Sequence, residues 1–175
     1  MIVNLTELSA AQRHQQVSRH FGDVVSAVGD WDAPSPVDGW AARDVVGHLV
    51  EWFPGFLAGG GVSLPAGPSV VDDPAGAWAA RAAAVQTLLD GPGADADFTH
   101  PMAGTHRLED AIDRFYTADV FMHTWDLAEA AGVAADLDPG YARQLLDGMT
   151  GIEEMLRASG PVSYTHLTLP TTPYV

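Results

Sequence analysis

Apolar residues recur at spacings of three and four through five separate stretches of this chain, the period of helices that bury one face. Over roughly 7–28 the stripe is Leu8, Val17, Phe21, Val24 and Val28, and it stops at Gly29-Asp30-Trp31-Asp32. Pro34, Pro36, Asp38 and Gly39 make the following link a loop. A second helix spans about 41–57 with Val45, Leu49, Trp52 and Phe56 at helical spacing. Pro54 should kink it or mark its last turns, and Gly59-Gly60-Gly61 ends it. The third, Ala-rich and weakly patterned, covers about 74–89 with Trp78, Val85, Leu88 and Leu89. Residues 90–97 read as loop, and 98–106 as irregular, because Pro101 biases His100 away from helix. The fourth helix runs over about 108–131 and ends near Gly132. The fifth starts at Asp138-Pro139, a good start signal with Pro at the first helical position, and carries Tyr141, Leu145, Met149, Ile152 and Leu156 as its seam.

No stretch alternates with period two for more than a few residues. The predicted class is therefore all-α, most simply a four-helix bundle with an additional helix. At 175 residues the chain is long enough for one domain with a real core, expected over 1–161. Residues 162–175 stand apart. Val162-Ser-Tyr-Thr-His166-Leu-Thr-Leu-Pro-Thr171 breaks the helical pattern and reads as a translated sequencing adapter, spelled in order by GTC TCT TAT ACA CAT CTG ACG CTG CCG ACG. The tail is thus expected to be non-native, His166 to carry no function, and the natural chain to continue beyond about Pro161.

Charge narrows the functions. Asp and Glu total 23 against eight basic residues, all Arg, for a formal net charge of −15. Nucleic acid rewards Lys and Arg that neutralise phosphates, so it is not an expected partner, and anionic membrane surfaces are disfavoured for the same reason. No apolar run reaches about 18 residues, so no transmembrane helix is expected. The N-terminus lacks a basic region followed by a long apolar run, which argues against a signal peptide and for a soluble cytoplasmic protein; the Asn4-Leu5-Thr6 sequon is then chance. There is no cysteine, so any metal must be held by His, Asp, Glu or water.

Polar residues interrupt two of the apolar faces. On the fourth helix Asp119, His123 and Asp126 lie one turn apart, beside the stripe that carries Ile112, Phe115 and Met122. On the second, His48 sits among Val45, Leu49, Trp52 and Phe56. A carboxylate on a core stripe needs a partner, a hydrogen bond or a metal to offset its desolvation. Asp119 and His123 at i and i+4 can share one ion, with a third ligand from a neighbouring helix. The alternatives are hydrogen-bonded core histidines and an Asp paired with an Arg such as Arg114. Asp44, Glu51 and Asp126 each lie three or four positions from a proposed ligand and could orient an imidazole, or be surface and helix-start charges. His100 and His106 could line a pocket mouth or simply be exposed.

Two blocks, Gly39-Trp40-Ala-Ala-Arg43-Asp44-Val-Val-Gly-His48-Leu and Asp119-Val-Phe-Met-His123-Thr-Trp125-Asp126-Leu-Ala, in that order and separation, resemble the DinB-like metal-binding domains of actinobacterial proteins. More narrowly, the chain is similar over roughly 5–160 to the N-terminal metal-binding domain of mycothiol-dependent maleylpyruvate isomerase. The resemblance implies a DinB-like bundle whose ligands fall on His48, Asp119 and His123. Asp119 stands where the isomerase has a Glu, one methylene longer. Ala41 replaces a capping Ser or Thr, Val37 fills a position that is often Cys, and the isomerase's separate C-terminal domain is not expected within these 175 residues. What the resemblance implies is a divalent metal, zinc or nickel, with mycothiol or another low-molecular-weight thiol as cofactor, and a transferase or isomerase reaction on a small electrophile. The other functional class is a non-catalytic metal-binding module with a regulatory or interaction role. The expected partners are a small-molecule substrate or thiol, and a homodimer is compatible with the sequence.

Overall fold

The computed structural model describes residues 3–158; the reading of 162–175 lies outside the described residues. The chain divides into two compact units, Met1–Leu137 and Asp138–Val175. Helix formation in the first unit begins with a 3-10 turn at Leu5–Glu7, and α1 (Ala10–Ala27) follows. The capping box starts α1 later than the apolar spacing suggested: Ser9 Oγ accepts the Gln12 N–H at 3.3 Å and Gln12 Oε1 accepts the Ser9 N–H at 3.2 Å. Its buried face is Arg13, His14, Val17, Phe21, Val24 and Val25.

Helix α2 (Ala42–Gly59) opens without a capping hydroxyl, since Ala41 holds the N-cap position. Asp44 supplies half of the box instead, its Oδ2 accepting the Ala41 N–H at 2.8 Å. Pro54 does not end the helix, which runs five residues beyond it to Gly59. Proline removes the N–H that would bond to the carbonyl four residues back, here Val50. That carbonyl accepts from Nε of Arg81, a buried residue of α3 (Pro74–Asp90), at 3.2 Å. A guanidinium from the next helix thus takes the place of the missing backbone donor.

The stretch read as irregular is a hairpin. β1 (Asp97–His100) pairs antiparallel with β2 (Gly104–Arg107), with Phe98 opposite His106. Four residues per strand are too few for alternation to register, so the helical reading stands with one addition: the described residues are mostly helical and include one small two-stranded sheet. The glycine run ending α2 has a second use here. A Cβ on Gly60 would lie 2.2 Å from the Phe98 ring, and one on Gly59 would lie 2.7 Å from His100 Nε2, so the hairpin seats where only glycine admits it.

The fourth helical stretch runs unbroken over 108–131 as predicted, but in three parts: α4 (Leu108–Ala111), a π-helical segment Ile112–Thr117, and α5 (Ala118–Ala131). Gly132 closes it in the left-handed conformation at φ 68°. A π turn inserts extra residues into the helical repeat and so rotates everything downstream about the axis. Ile112 and Tyr116 face the core, while Asp119 and His123 beyond the π segment face α2. α1 and α2 each pack against both α3 and α5. In the second unit, α6 (Pro139–Ala158) opens at Asp138, whose Oδ1 accepts the Tyr141 N–H at 2.8 Å. No helix among the described residues is long and apolar enough to cross a membrane.

Candidate metal centre

Two helices supply the site by the same device. On α2, His48 and Trp52 are four residues apart and share a face; on α5, Asp119 and His123 do the same. The faces meet around the Asp119 carboxylate. His48 Nε2 lies 3.0 Å from Asp119 Oδ2, and His123 Nε2 lies 3.4 Å from Oδ1. One ligand atom from each of His48, Asp119 and His123 falls within 4.8 Å of the others. The three sequence-predicted residues are therefore brought together, although they are 71 and 4 positions apart in the chain. Their side chains are 29%, 19% and 18% exposed, so the cluster is sheltered without being sealed.

Burial alone would push the Asp119 carboxyl up. The hydrogen bonds and charges of His123 and His48 outweigh it and hold the group at about 2. Burial would likewise lower His123, but Asp119 and Asp126 raise it to about 9. The cluster by itself is thus an imidazolium–carboxylate pair, with negative charge concentrated where the two rings converge. Replacing the His123 proton by a divalent ion keeps every charge compensated. Two imidazole nitrogens and a carboxylate oxygen are a donor set that suits zinc and similar borderline ions.

Asp126 is the residue that orients His123: their Nδ1 and Oδ2 lie 2.8 Å apart, with the ring N–H donating. That bond leaves Nε2 as the atom facing Asp119. Asp44 and Glu51 do not play this part. Asp44 caps α2, and Glu51 is exposed. His100 and His106 stand off the site as hairpin residues. His100 Nδ1 accepts the Met102 and Ala103 N–H groups at 3.1 and 3.2 Å, and its ring stacks on Phe56 at 4.5 Å. His106 Nε2 donates to the Ala103 carbonyl at 2.7 Å.

Sequence reasoning missed two tryptophans. Trp52 reads as core, yet its indole N–H donates to Asp119 Oδ2 at 3.0 Å; its i+4 spacing from His48 was the signal. Trp40 belongs to the loop before α2, which is tied back on itself by Ser35 N to Trp40 O at 2.8 Å and Trp40 N to Val37 O at 3.0 Å. This places the Trp40 ring 5.2 Å from His48 and 6.0 Å from His123 as a wall over both. A cleft of about 270 Å³ opens beside that wall, with Arg43, His48, Glu51 and Val70 in its lining.

The sequence profile of the mycothiol maleylpyruvate isomerase N-terminal domain matches residues 14–61, the span of α1 and α2 that includes His48. Two uncharacterized proteins of Mycobacterium tuberculosis, from strains CDC 1551 / Oshkosh and ATCC 25618 / H37Rv, are each 30% identical over 138 residues, 76% of this chain and 73% of the relative. No solved structure matches the chain. With the profile covering the helix that carries His48 and the relatives extending the likeness along most of the chain, the protein belongs to the mycothiol maleylpyruvate isomerase N-terminal domain family.

Proposed function

We propose that this chain binds a divalent ion through His48, Asp119 and His123 and works as a thiol-dependent transferase or isomerase on small electrophiles. The observation that carries the reading is the convergence of these three donors within 4.8 Å, one of them, His48, also lining an open cleft. Two imidazoles and one carboxylate leave positions for water or substrate, the arrangement of a catalytic site. When bound, such an ion supplies Lewis acidity and stabilises a thiolate or hydroxide at neutral pH. Zinc or nickel fits the donor set. The protein's own residues then have distinct parts. Asp126 holds His123 in the tautomer that presents Nε2, Trp40 shields both imidazoles from bulk water, and the cleft admits a small molecule.

A thiol supplied from outside is compatible with a chain that has no cysteine, and the family description points to mycothiol. The packing of α1 and α2 against both α3 and α5 supports a DinB-like four-helix bundle. The mycobacterial relatives support an actinobacterial setting, and we place the protein in the cytoplasm with a small-molecule partner and a homodimer as its assembly.

Elemental analysis of the purified protein beside His48→Ala, Asp119→Ala and His123→Ala tests the site. One equivalent of zinc or nickel in the wild type, lost in each variant, is the expected result; full metal content in all three overturns it. Consumption of mycothiol with a panel of small electrophiles, dependent on the metal, tests the chemistry. Stoichiometric metal without thiol consumption would instead mark a non-catalytic metal-binding module.

A further inference from the structure

We propose that Trp52 is a positioning residue for Asp119, its indole N–H fixing Oδ2 so that the short carboxylate stays aimed at the point where the His48 and His123 rings converge. This rests on the metal reading above. The indole nitrogen is a donor only and never a ligand, so its bond to Oδ2 at 3.0 Å is one that an arriving cation leaves in place. The contact between His48 Nε2 and the same oxygen is different, because a ligating imidazole nitrogen turns its lone pair to the ion and cannot also donate to Oδ2. Of the neighbours of Oδ2, the indole therefore is the one able to hold the carboxylate in both states.

The ring is anchored well enough to do this. Its centroid lies 5.3 Å from Phe53, 5.8 Å from Phe56 and 6.0 Å from Tyr116, and it stacks 6.1 Å from the His48 ring itself. Phe53 and Tyr116 are fully buried and stack on each other at 4.0 Å, so the indole rests on a closely packed platform. Asp119 enters from α5 and its anchor from α2. The hydrogen bond thus also ties the two helices at the level of the site, and His48 and Trp52 act as one unit, i and i+4, against Asp119 and His123.

The test is a double-mutant cycle on zinc affinity, measured by chelator competition. Trp52→Phe keeps an aromatic ring on the platform and removes only the donor; affinity should fall about tenfold, the usual cost of losing a partner that orients a ligand. Asp119→Glu carries its carboxylate one methylene past the indole, so in that background Trp52→Phe should cost less than about twofold, a coupling that independent sites do not show. In ¹⁵N-labelled wild type the Trp52 indole proton, assigned within the wild type from its through-space contacts to the neighbouring Phe53 and Phe56 rings, should exchange slowly with solvent with and without zinc and exchange fast in Asp119→Ala. The NMR measurement needs no loaded variant and decides the matter even should Trp52→Phe fold poorly. Equal zinc affinity for wild type and Trp52→Phe, the same tenfold loss in both backgrounds, or a rapidly exchanging indole in the wild type overturns the role of Trp52 while metal binding stands. A wild type that takes up no zinc overturns both.

Discussion

Polar residues break the apolar faces of these helices in two places, and the two have opposite characters. At the junction of α2 and α5, His48 and His123 face the Asp119 carboxylate beside an open cleft. Around Tyr116, where α1, α3 and the π segment meet, His14 is fully buried and its Nδ1–H donates to Gln86 Oε1 at 2.7 Å. Burial holds the His14 imidazole below its ordinary range, although Gln86, Asp90 and Asp113 pull the other way. His123 is raised to about 9 because two carboxylates outweigh its burial. The same side chain, turned inward from an amphipathic helix, is a neutral structural group in one place and an ion-pairing group in the other. What it faces decides: an amide in a closed interior, or carboxylates in a partly solvated cluster.

The widest separation of the two clusters comes from removing an imidazole in each. His48→Ala and His123→Ala should abolish stoichiometric metal content and keep the helical secondary structure, His123→Ala with some loss of stability because Asp119 and Asp126 lose the imidazolium they share. His14→Ala should keep full metal content. Elemental analysis paired with circular dichroism reads both effects, and metal loss in His14→Ala would erase the distinction.

The next effect is on stability alone and belongs to the interior cluster. Arg13 Nη1 pairs with Asp113 Oδ2 at 2.5 Å, while its Nε and Nη2 donate to the Leu5 and Leu8 carbonyls at 2.8 and 2.7 Å. One guanidinium thus pins the N-terminal 3-10 turn to the π segment. Arg13→Ala leaves Asp113 short of its counter-charge in a mostly buried setting, and should cost about 3 kcal/mol in a denaturant titration, with zinc affinity unchanged. A loss under about 1 kcal/mol would mean that the π segment holds its geometry without this tie.

Within the site, Asp126 should matter by roughly tenfold. Asp126→Asn weakens the orientation of the His123 ring and removes one of the two carboxylates that raise it, so zinc affinity should fall about tenfold. Zinc must displace the His123 proton, whose folded value of about 9 means it is bound at pH 7. Calorimetry in buffers of different ionisation enthalpy should therefore show about one proton released per zinc at pH 7, less in Asp126→Asn, and affinity rising with pH up to about 9. Zinc uptake without proton release would exclude His123 as a ligand.

Much of this was legible in the sequence, and the failures share a cause. Period-3.6 stripes located the helices, and a carboxylate with two imidazoles on apolar faces pointed to side chains that the fold brings together, because burial of such groups demands a local explanation. The hairpin was invisible because four-residue strands carry no period, and Gly59 and Gly60 read as a helix stop although the rings of His100 and Phe98 need their bareness. The π segment leaves no mark in composition. Arg81, Trp52 and Trp40 were missed because their roles depend on another helix or a folded-back loop: a carbonyl bared by Pro54, a carboxylate from α5, a pair of imidazoles below. His14 sits on its stripe as His48 does on its own; their distant partners, Gln86 72 residues from one and Asp119 71 residues from the other, separate their fates.

The smallest effect sharpens that last point through acid stability. A histidine whose folded pKa is depressed stays neutral in the native state and takes up its proton on unfolding. Stability is then complete above the unfolded value of 6.5 and declines as pH falls below it. In the metal-free protein His123 is silent in the window from about pH 6.5 to 5: its folded value lies near 9, so it is protonated in both states there, and its contribution is lost only as pH rises from 6.5 through 9. Asp119, held at about 2, is equally silent, since its contribution fades only below its unfolded value of 3.8. His14 thus dominates the difference between variants in this window, with a slope of up to about 1.4 kcal/mol per pH unit. His14→Leu should lower stability at pH 7 by about 1 kcal/mol, because Gln86 Oε1 loses its donor, and should flatten the decline between pH 6.5 and 5. Denaturant midpoints of the two proteins at a series of pH values read the slopes directly. Parallel declines would show that His14 charges readily inside the fold, and that the interior cluster differs from the site in exposure but not in chemistry.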